Sequence, residues 1–222
     1  MGQRKVTFAP GEFYHVYNRG TDKRDIFLDS RDYHRFIELL YICNSKTSVD
    51  LRGIHREGIS VFEHDRDQKL VAIGVYCLMP NHFHILLTPI ADDGVARFMS
   101  KLGTSYSMYF NKKYERSGAL FQGRFKAKMI TQDQYMKYLY AYIHLNPVKL
   151  IDSKWKDEGI QDFDATMKYL TQYRFSSLQK YLNQNREENS ILEPQLFPDY
   201  FPSASSNISE LAEWLQYGDQ ES

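Results

Sequence analysis

Apolar and polar positions alternate along residues 12–19, EFYHVYNR, and this period of two predicts a strand. Tyr33, Phe36, Ile37 and Leu40 then recur at i, i+3, i+4 and i+7, which predicts a helix over 31–43 capped by Asp29 or Ser30. Residues 44–69 are polar and read as a long connection, with a short strand at 58–63. Leu70 to Met79 is a continuous apolar run, followed by the turn signal Pro80-Asn81 and a second apolar run, His82 to Thr88. The two runs predict a hairpin. A helical period returns over 95–113, a strand is predicted over 121–130, and Thr131 caps a further helix that stops before Pro147.

The resulting order is strand, helix, strand, strand, helix, strand, helix. It predicts an α+β fold with a ferredoxin-like split βαβ core, a four-stranded antiparallel sheet with helices on one face. Beyond Pro147, one or two short helices are predicted over 165–183, forming a C-terminal helical extension. Residues 184–206, with Pro194, Pro198 and Pro202, read as linker. Asn207 and Glu210 resemble a capping box, opening a short amphipathic helix that ends at Gly218. These boundaries give a catalytic unit over 8–150, an extension of it over 151–183, and an acidic tail over 184–222.

The chain has 222 residues, enough for one domain with appendages. Two cysteines exclude a disulfide scaffold and suggest a reducing, cytoplasmic compartment. No apolar run is long enough to span a bilayer, so no membrane partner is expected. Charge changes the picture more. Basic and acidic residues balance at 28 each, yet residues 101–150 carry nine basic and two acidic side chains. Residues 151–222 carry six and thirteen. A neutral total thus hides a basic middle suited to a polyanion and an acidic end. Their opposite signs motivate the expectation that the tail covers the basic groove; tethering a partner and aiding solubility are the alternatives.

Three groups can carry chemistry. His82 and His84, in MPNHFHILLTP, are two apart on a strand, so both imidazoles point to one face, with Cβ atoms roughly 7 Å apart. A lone H-x-H is commonly a pair of satisfied strand histidines, and two ligands alone underspecify a metal. In QYMKYLYAYIHLNPVK, Tyr138, Tyr142 and Asn146 are spaced by four and share a helix face. A phenol there is a nucleophile if its proton is removed, and a core aromatic stripe otherwise. The Asn146 amide oxygen suits a hard cation, whereas His144 faces elsewhere on the helix. Third, Lys112, Lys113, Arg116, Arg124, Lys126 and Lys128 are interleaved with Tyr106, Tyr109, Phe110, Tyr114, Phe121 and Phe125. That mixture fits phosphates and unpaired bases, or else a solvated sheet face over core aromatics.

The blocks YCLMPNHFHILLTP (76–89), FNKKYERSGALFQGRFKAKMI (110–130) and YAYIHLNPVK (140–149) together resemble the REP-associated tyrosine transposases. These belong to the single-tyrosine HUH transposases of bacterial insertion sequences. FYHVYNRGTDKRDIF (13–27) is similar to the same family's first strand and turn, and the resemblance spans roughly residues 8–182. It implies a ferredoxin-like core, a metal pair at His82 and His84, a nucleophile at Tyr142 and a third, polar ligand at Asn146. It further implies Mg²⁺ or Mn²⁺ and cleavage and rejoining of single-stranded DNA beside palindromic hairpins, through a 5′-phosphotyrosine linkage. The partner is then single-stranded DNA or a DNA hairpin, and the protein is a monomer or a homodimer. Lys112, Lys113, Arg116, Arg124, Lys126 and Lys128 are the expected DNA-binding residues. Other classes share parts of this pattern: a hairpin-binding protein with dispensable catalysis, a replication initiator or relaxase, and a small metal-binding domain that binds proteins through its acidic tail.

Overall fold

The computed structural model describes residues 6–66 and 68–217. Strand β1 (Phe13–Arg19) leads to helix α1 (Ser30–Ile42) and a short helix α2 (Leu51–Glu57). The hairpin β2 (Val71–Met79) and β3 (His82–Pro89) follows, then α3 (Gly94–Lys113), β4 (Lys126–Ile130) and α4 (Asp133–Leu145). The extension holds α5 (Trp155–Glu158), α6 (Phe163–Gln172) and α7 (Leu178–Tyr181), and the tail holds α8 (Ala204–Tyr217). The sheet order is β2-β3-β1-β4, with every pairing antiparallel. This is the expected α+β, ferredoxin-like arrangement. Among the described residues, no helix is long and apolar enough to cross a membrane.

The two crossover helices cover one face. Phe36 and Leu40 of α1 and Phe98, Leu102 and Tyr106 of α3 pack on Tyr14, Val16, Phe83, Ile85 and Leu87. Helices on one face alone is nevertheless an incomplete description. Every residue of β2 is buried, as are seven of the eight in β3, so the second face also needs an apolar cover. Helix α4 supplies it, placing Met136, Leu139, Tyr140 and Ile143 over Val75, Cys77, Leu86 and Ile130. A bulge in β2 between Ile73 and Val75 switches which face the alternation serves. Gly74 sits in that bulge, and a Cβ there would lie 3.0 Å from the Phe197 ring.

Several local expectations change. Residues 44–69 contain α2, and the predicted strand at 58–63 is instead a 3-10 turn, Val61–Glu63, capped by Ser60. Strand β4 begins at Lys126 rather than Phe121, because the chain turns at Gly123 with φ +75° and Phe121 makes only an isolated bridge to Gly20. Gln132, not Thr131, precedes α4, without a side-chain cap. Helix α8 starts at Ala204, with Ser203 Oγ accepting from the Ser206 amide. Asn207 lies inside its first turn and donates to the carbonyls of Phe201 and Ser203. Gly218, the expected end of that helix, lies outside the described residues.

The stretch around Phe175–Ser177 and the segment read as linker both pack along the edge of the sheet. Leu78 and Tyr76 on the outer edge of β2 exchange backbone hydrogen bonds with Phe175 and Ser177, and Glu193 N–H donates to the Ile73 carbonyl. Ile191 is wholly buried. Prolines in this stretch set turns of an edge cover, not a spacer. Its acids pair with Lys69 (from Glu193), Arg186 (from Glu188) and, in α8, Lys137 (from Glu210).

Lys113 belongs to the fold. Asp29 and Asp32 cap α1 reciprocally, and Asp32 is fully buried. Lys113 Nζ lies 2.8 Å from Asp29 and 2.6 Å from Asp32, while Tyr109 and Tyr114 donate their hydroxyls to Asp32. Burial pushes the Asp32 carboxyl up, but the Lys113 hydrogen bond and the other donors outweigh it and hold it low. Lys113 first of all, then Arg31, draws Asp29 down to about 2. Replacing Lys113 by Met strands a buried carboxylate and should cost about 3 kcal/mol in urea unfolding at pH 7. Because both carboxyls sit below their ordinary values, their stabilisation is full above the unfolded range of roughly pH 4 and is lost as pH falls toward 2. The wild-type midpoint should therefore drop over that interval, and the Lys113→Met midpoint should drop less.

Candidate active site

Strand register brings five side chains onto the face that α4 covers. His84 lies opposite Tyr17 and His82 opposite Arg19, and alternation places His15 beside them. The His82 and His84 rings are 5.0 Å apart at 90°. His15 Nε2 lies 2.8 Å from His84 Nδ1, with the rings stacked. His82 Nδ1 lies 2.6 Å from Asn81 Oδ1, and Asn81 Nδ2 donates to the Lys23 carbonyl. His82 and His84 thus each have Nδ1 held by a neighbour, which leaves Nε2 as the nitrogen that can bind a cation.

All three rings are held neutral. Burial, reinforced by Lys128, lowers His15 to about 4. Burial with Arg19 and Lys149 lowers His82 to about 4, against a small opposing effect of the Asn146 hydrogen bond. Burial also takes His84 well below its ordinary value, helped by His15, His82 and Lys149. Neutral imidazoles keep the lone pair that a cation needs.

Helix α4 delivers the remaining groups. Tyr142 stands edge-on to His84 at 5.6 Å and to His15 at 6.3 Å. Tyr138, one turn earlier, lies 5.7 Å from Tyr142. Asn146 ends the helix, where Pro147 opens a 3-10 turn (Asn146–Leu150), and is buried. Its Nδ2 donates to the Tyr142 carbonyl at 2.8 Å, so Oδ1 is the atom left to act as an oxygen donor. Two imidazole nitrogens and an amide oxygen fit a divalent cation of the Mg²⁺ or Mn²⁺ type that keeps other positions for water and phosphate. Among the described residues, no three of His, Cys, Asp and Glu are arranged to hold a metal.

The basic residues divide. Lys126 and Lys128 pair with Tyr17 and His15 across β1 and β4, so they flank the histidines, and Lys128 Nζ lies 4.1 Å above the Tyr135 ring. Arg19, Lys149 and Lys156 also surround the site, the last 5.3 Å over the Tyr142 ring. The expected DNA-binding residues include none of these three; alternation in β1 carries a signal for Arg19, and no local pattern marks Lys149 or Lys156. Elsewhere, Lys112 is exposed at the end of α3, Arg116 holds Asn111, and Arg124 borders a groove on the opposite face. Lys113 is bound within its acidic pair. His144, as expected, turns away and bonds Ser177 at 2.8 Å.

A cleft beside Tyr142 is walled by Tyr138, Asn146, Lys149, Trp155, Lys156 and Trp214. Trp214 comes from α8, which braces α4 through Tyr138 at 4.9 Å and through the Lys137–Glu210 pair at 3.0 Å. The polar stretch before α8 concealed this role in the sequence.

A search of curated proteins matched none. Among solved structures, one described as a REP-associated tyrosine transposase bound to a REP hairpin is similar, at 14% identity and TM-score 0.50 over 89% of each chain. At that identity the likeness concerns the fold. The sequence model described as "Transposase IS200 like" matches residues 14–146, the stretch from β1 to Asn146 that holds the three histidines and Tyr142. The chain belongs to the IS200-like transposase family.

Proposed function

We propose that this transposase cuts and rejoins single-stranded DNA beside REP-type hairpins, with Tyr142 as nucleophile. The reading rests on one observation: Tyr142 stands over the His15–His84 pair, on the helix that also brings Asn146 to His82. His82, His84 and Asn146 would hold Mg²⁺ or Mn²⁺, which when bound polarises a phosphoryl oxygen as a Lewis acid.

The Tyr142 phenol gives up its proton as its oxygen attacks phosphorus, the bond to O3′ breaks, and the departing 3′ oxygen takes up a proton, so the proton count is unchanged. The products are a 5′-phosphotyrosine and a free 3′-hydroxyl. A second 3′-hydroxyl then attacks the phosphotyrosine, releases the Tyr142 phenol and restores a phosphodiester. The bond count is conserved, so no nucleotide energy source is required. Arg19, Lys126, Lys128, Lys149 and Lys156 neutralise the phosphates that flank the cut. The buried, neutral histidines exclude competing protonation at neutral pH. His15 and Asn81 are positioning residues: each takes the Nδ1 of a ligand histidine.

Three outcomes follow. With labelled hairpin DNA and Mn²⁺, wild type should form a covalent adduct on denaturing gels, and Tyr142→Phe or EDTA should remove it while hairpin affinity is little changed. Loss of hairpin binding in Tyr142→Phe counts against the assignment. His15→Ala should weaken Mn²⁺ binding to the DNA-free protein by roughly 10- to 100-fold, read by electron paramagnetic resonance, with partial recovery in His15→Gln. Lys128→Gln should lower the slope of log affinity against log salt by about one, as for one lost phosphate contact.

A further inference from the structure

Tyr140 and Tyr142 are two residues apart on α4, so they leave the helix on opposite sides. Tyr142 meets the histidines. Tyr140 is buried beside a cavity of about 300 Å³, which the chain from Pro194 to Phe201 closes over α4 and α7. Packed interiors leave few voids larger than a water molecule. This space is instead the size of a small-ligand pocket.

Its walls are aromatic. Tyr140, Tyr181, Phe197, Tyr200 and Phe201 line it, together with two prolines. Tyr181 stands at 85° to Tyr140, Tyr200 at 83° and Phe201 at 70°, with ring centres 5.9 to 6.3 Å away. Rings that meet near right angles form the corner of a box. Their hydroxyls are already engaged: Tyr181 donates to the Gly74 carbonyl, Tyr200 to Asp133, and Tyr140 bonds Tyr181. The wall therefore offers mainly ring surface.

Charge sets the sign of the ligand. Among the described residues, Asp199 is the one charged group on the wall, and no basic residue lines it. Burial first of all raises the Tyr140 and Tyr181 phenols, and the Asp199 carboxylate adds to the rise in each, so its field acts into the cavity. The nearest cation is Lys137, whose Nζ lies 5.6 Å over the outer Phe201 ring and is paired with Glu210 at 3.0 Å. Asp133, held by Tyr200, adds a further negative charge. Unlike the histidine face, this neighbourhood repels phosphate.

We infer that the cavity is an aromatic cage for a small quaternary ammonium ion. Ring faces attract such a cation, and its methyl groups ask for no hydrogen-bond acceptor. A protonated amine brings three N–H donors, and the wall has few side-chain acceptors left for them, Asp199 and Gln195. A neutral ligand would gain nothing from Asp199. The inference goes beyond the DNA chemistry and stands whether or not Tyr142 is the nucleophile.

Calorimetric titration of the full chain at constant ionic strength tests it. The probes are choline, its uncharged isostere dimethylbutanol, and N-acetylarginine amide. Choline should bind one to one in the millimolar range, and the isostere about tenfold more weakly, the scale of a desolvated cation–π contact. Asp199→Asn and Tyr200→Leu should each weaken choline several-fold while the circular dichroism of the folded chain is kept. Absence of saturable choline binding overturns the cage, as does equal affinity for choline and the isostere, or undiminished binding in both variants. The isostere comparison is made on wild type, so it decides the matter even where Tyr200→Leu fails to fold. Tighter binding of N-acetylarginine amide than of choline also overturns the inference, and gives the cavity to an arginine side chain of a partner protein.

Discussion

Strands β2 and β3 are apolar on both faces, so neither side of the sheet can be left to water. A plain ferredoxin-like unit covers one side with its two crossover helices. Here the other side needs α4, and that requirement organises everything downstream. Covering Val75, Cys77 and Leu86 with Met136, Leu139 and Ile143 sets the rotation of α4. The same rotation turns Tyr142 toward His84 and ends the helix with Asn146 beside His82. Burial of a hydrophobic face and assembly of a reactive site are thus one packing event.

The same burial gives the site its electrostatic character. Desolvation, more than any single charge, keeps His15, His82 and His84 neutral, and the surrounding lysines and arginine add to it. A ring of cations around neutral nitrogen donors would repel a bare metal ion in isolation. That repulsion is relieved once a polyanion supplies the compensating charge. Substrate and cation are expected to depend on one another at such a site, because each relieves the repulsion the other meets.

Charge elsewhere is spent on structure. The acidic end of the chain looks like a free counterweight to the basic middle, but Glu193 holds Lys69, Glu188 holds Arg186 and Glu210 holds Lys137. Together with Ile191 and Phe197, the Lys69–Glu193 pair fastens the C-terminal segment along the edge of β2 and beneath Gly74, while Glu188 pairs within that segment and Glu210 ties α8 to α4. That closes one sheet edge that would otherwise offer unpaired backbone groups to another chain.

Periodicity by itself determined the order of elements, the β2–β3 hairpin, the shared face of His82 and His84, and the shared face of Tyr138, Tyr142 and Asn146. These follow from repeats of 2.0 and 3.6 residues, which are local properties of the chain. Tertiary structure alone decided which sheet face α4 would occupy, and therefore that the two sets would meet. It also brought His15 from 69 residues away to His84 Nδ1, and it gathered Arg19, Lys149 and Lys156 around Tyr142 while withdrawing Lys113 into a pair with Asp32. No local pattern records such partners, because a buried polar atom is satisfied by whatever the fold brings near it. The late start of β4, the groove it opens and the packing of residues 187–197 were hidden for the same reason. Glycine and proline announce a turn, but the space beside the turn is set by elements far away in sequence.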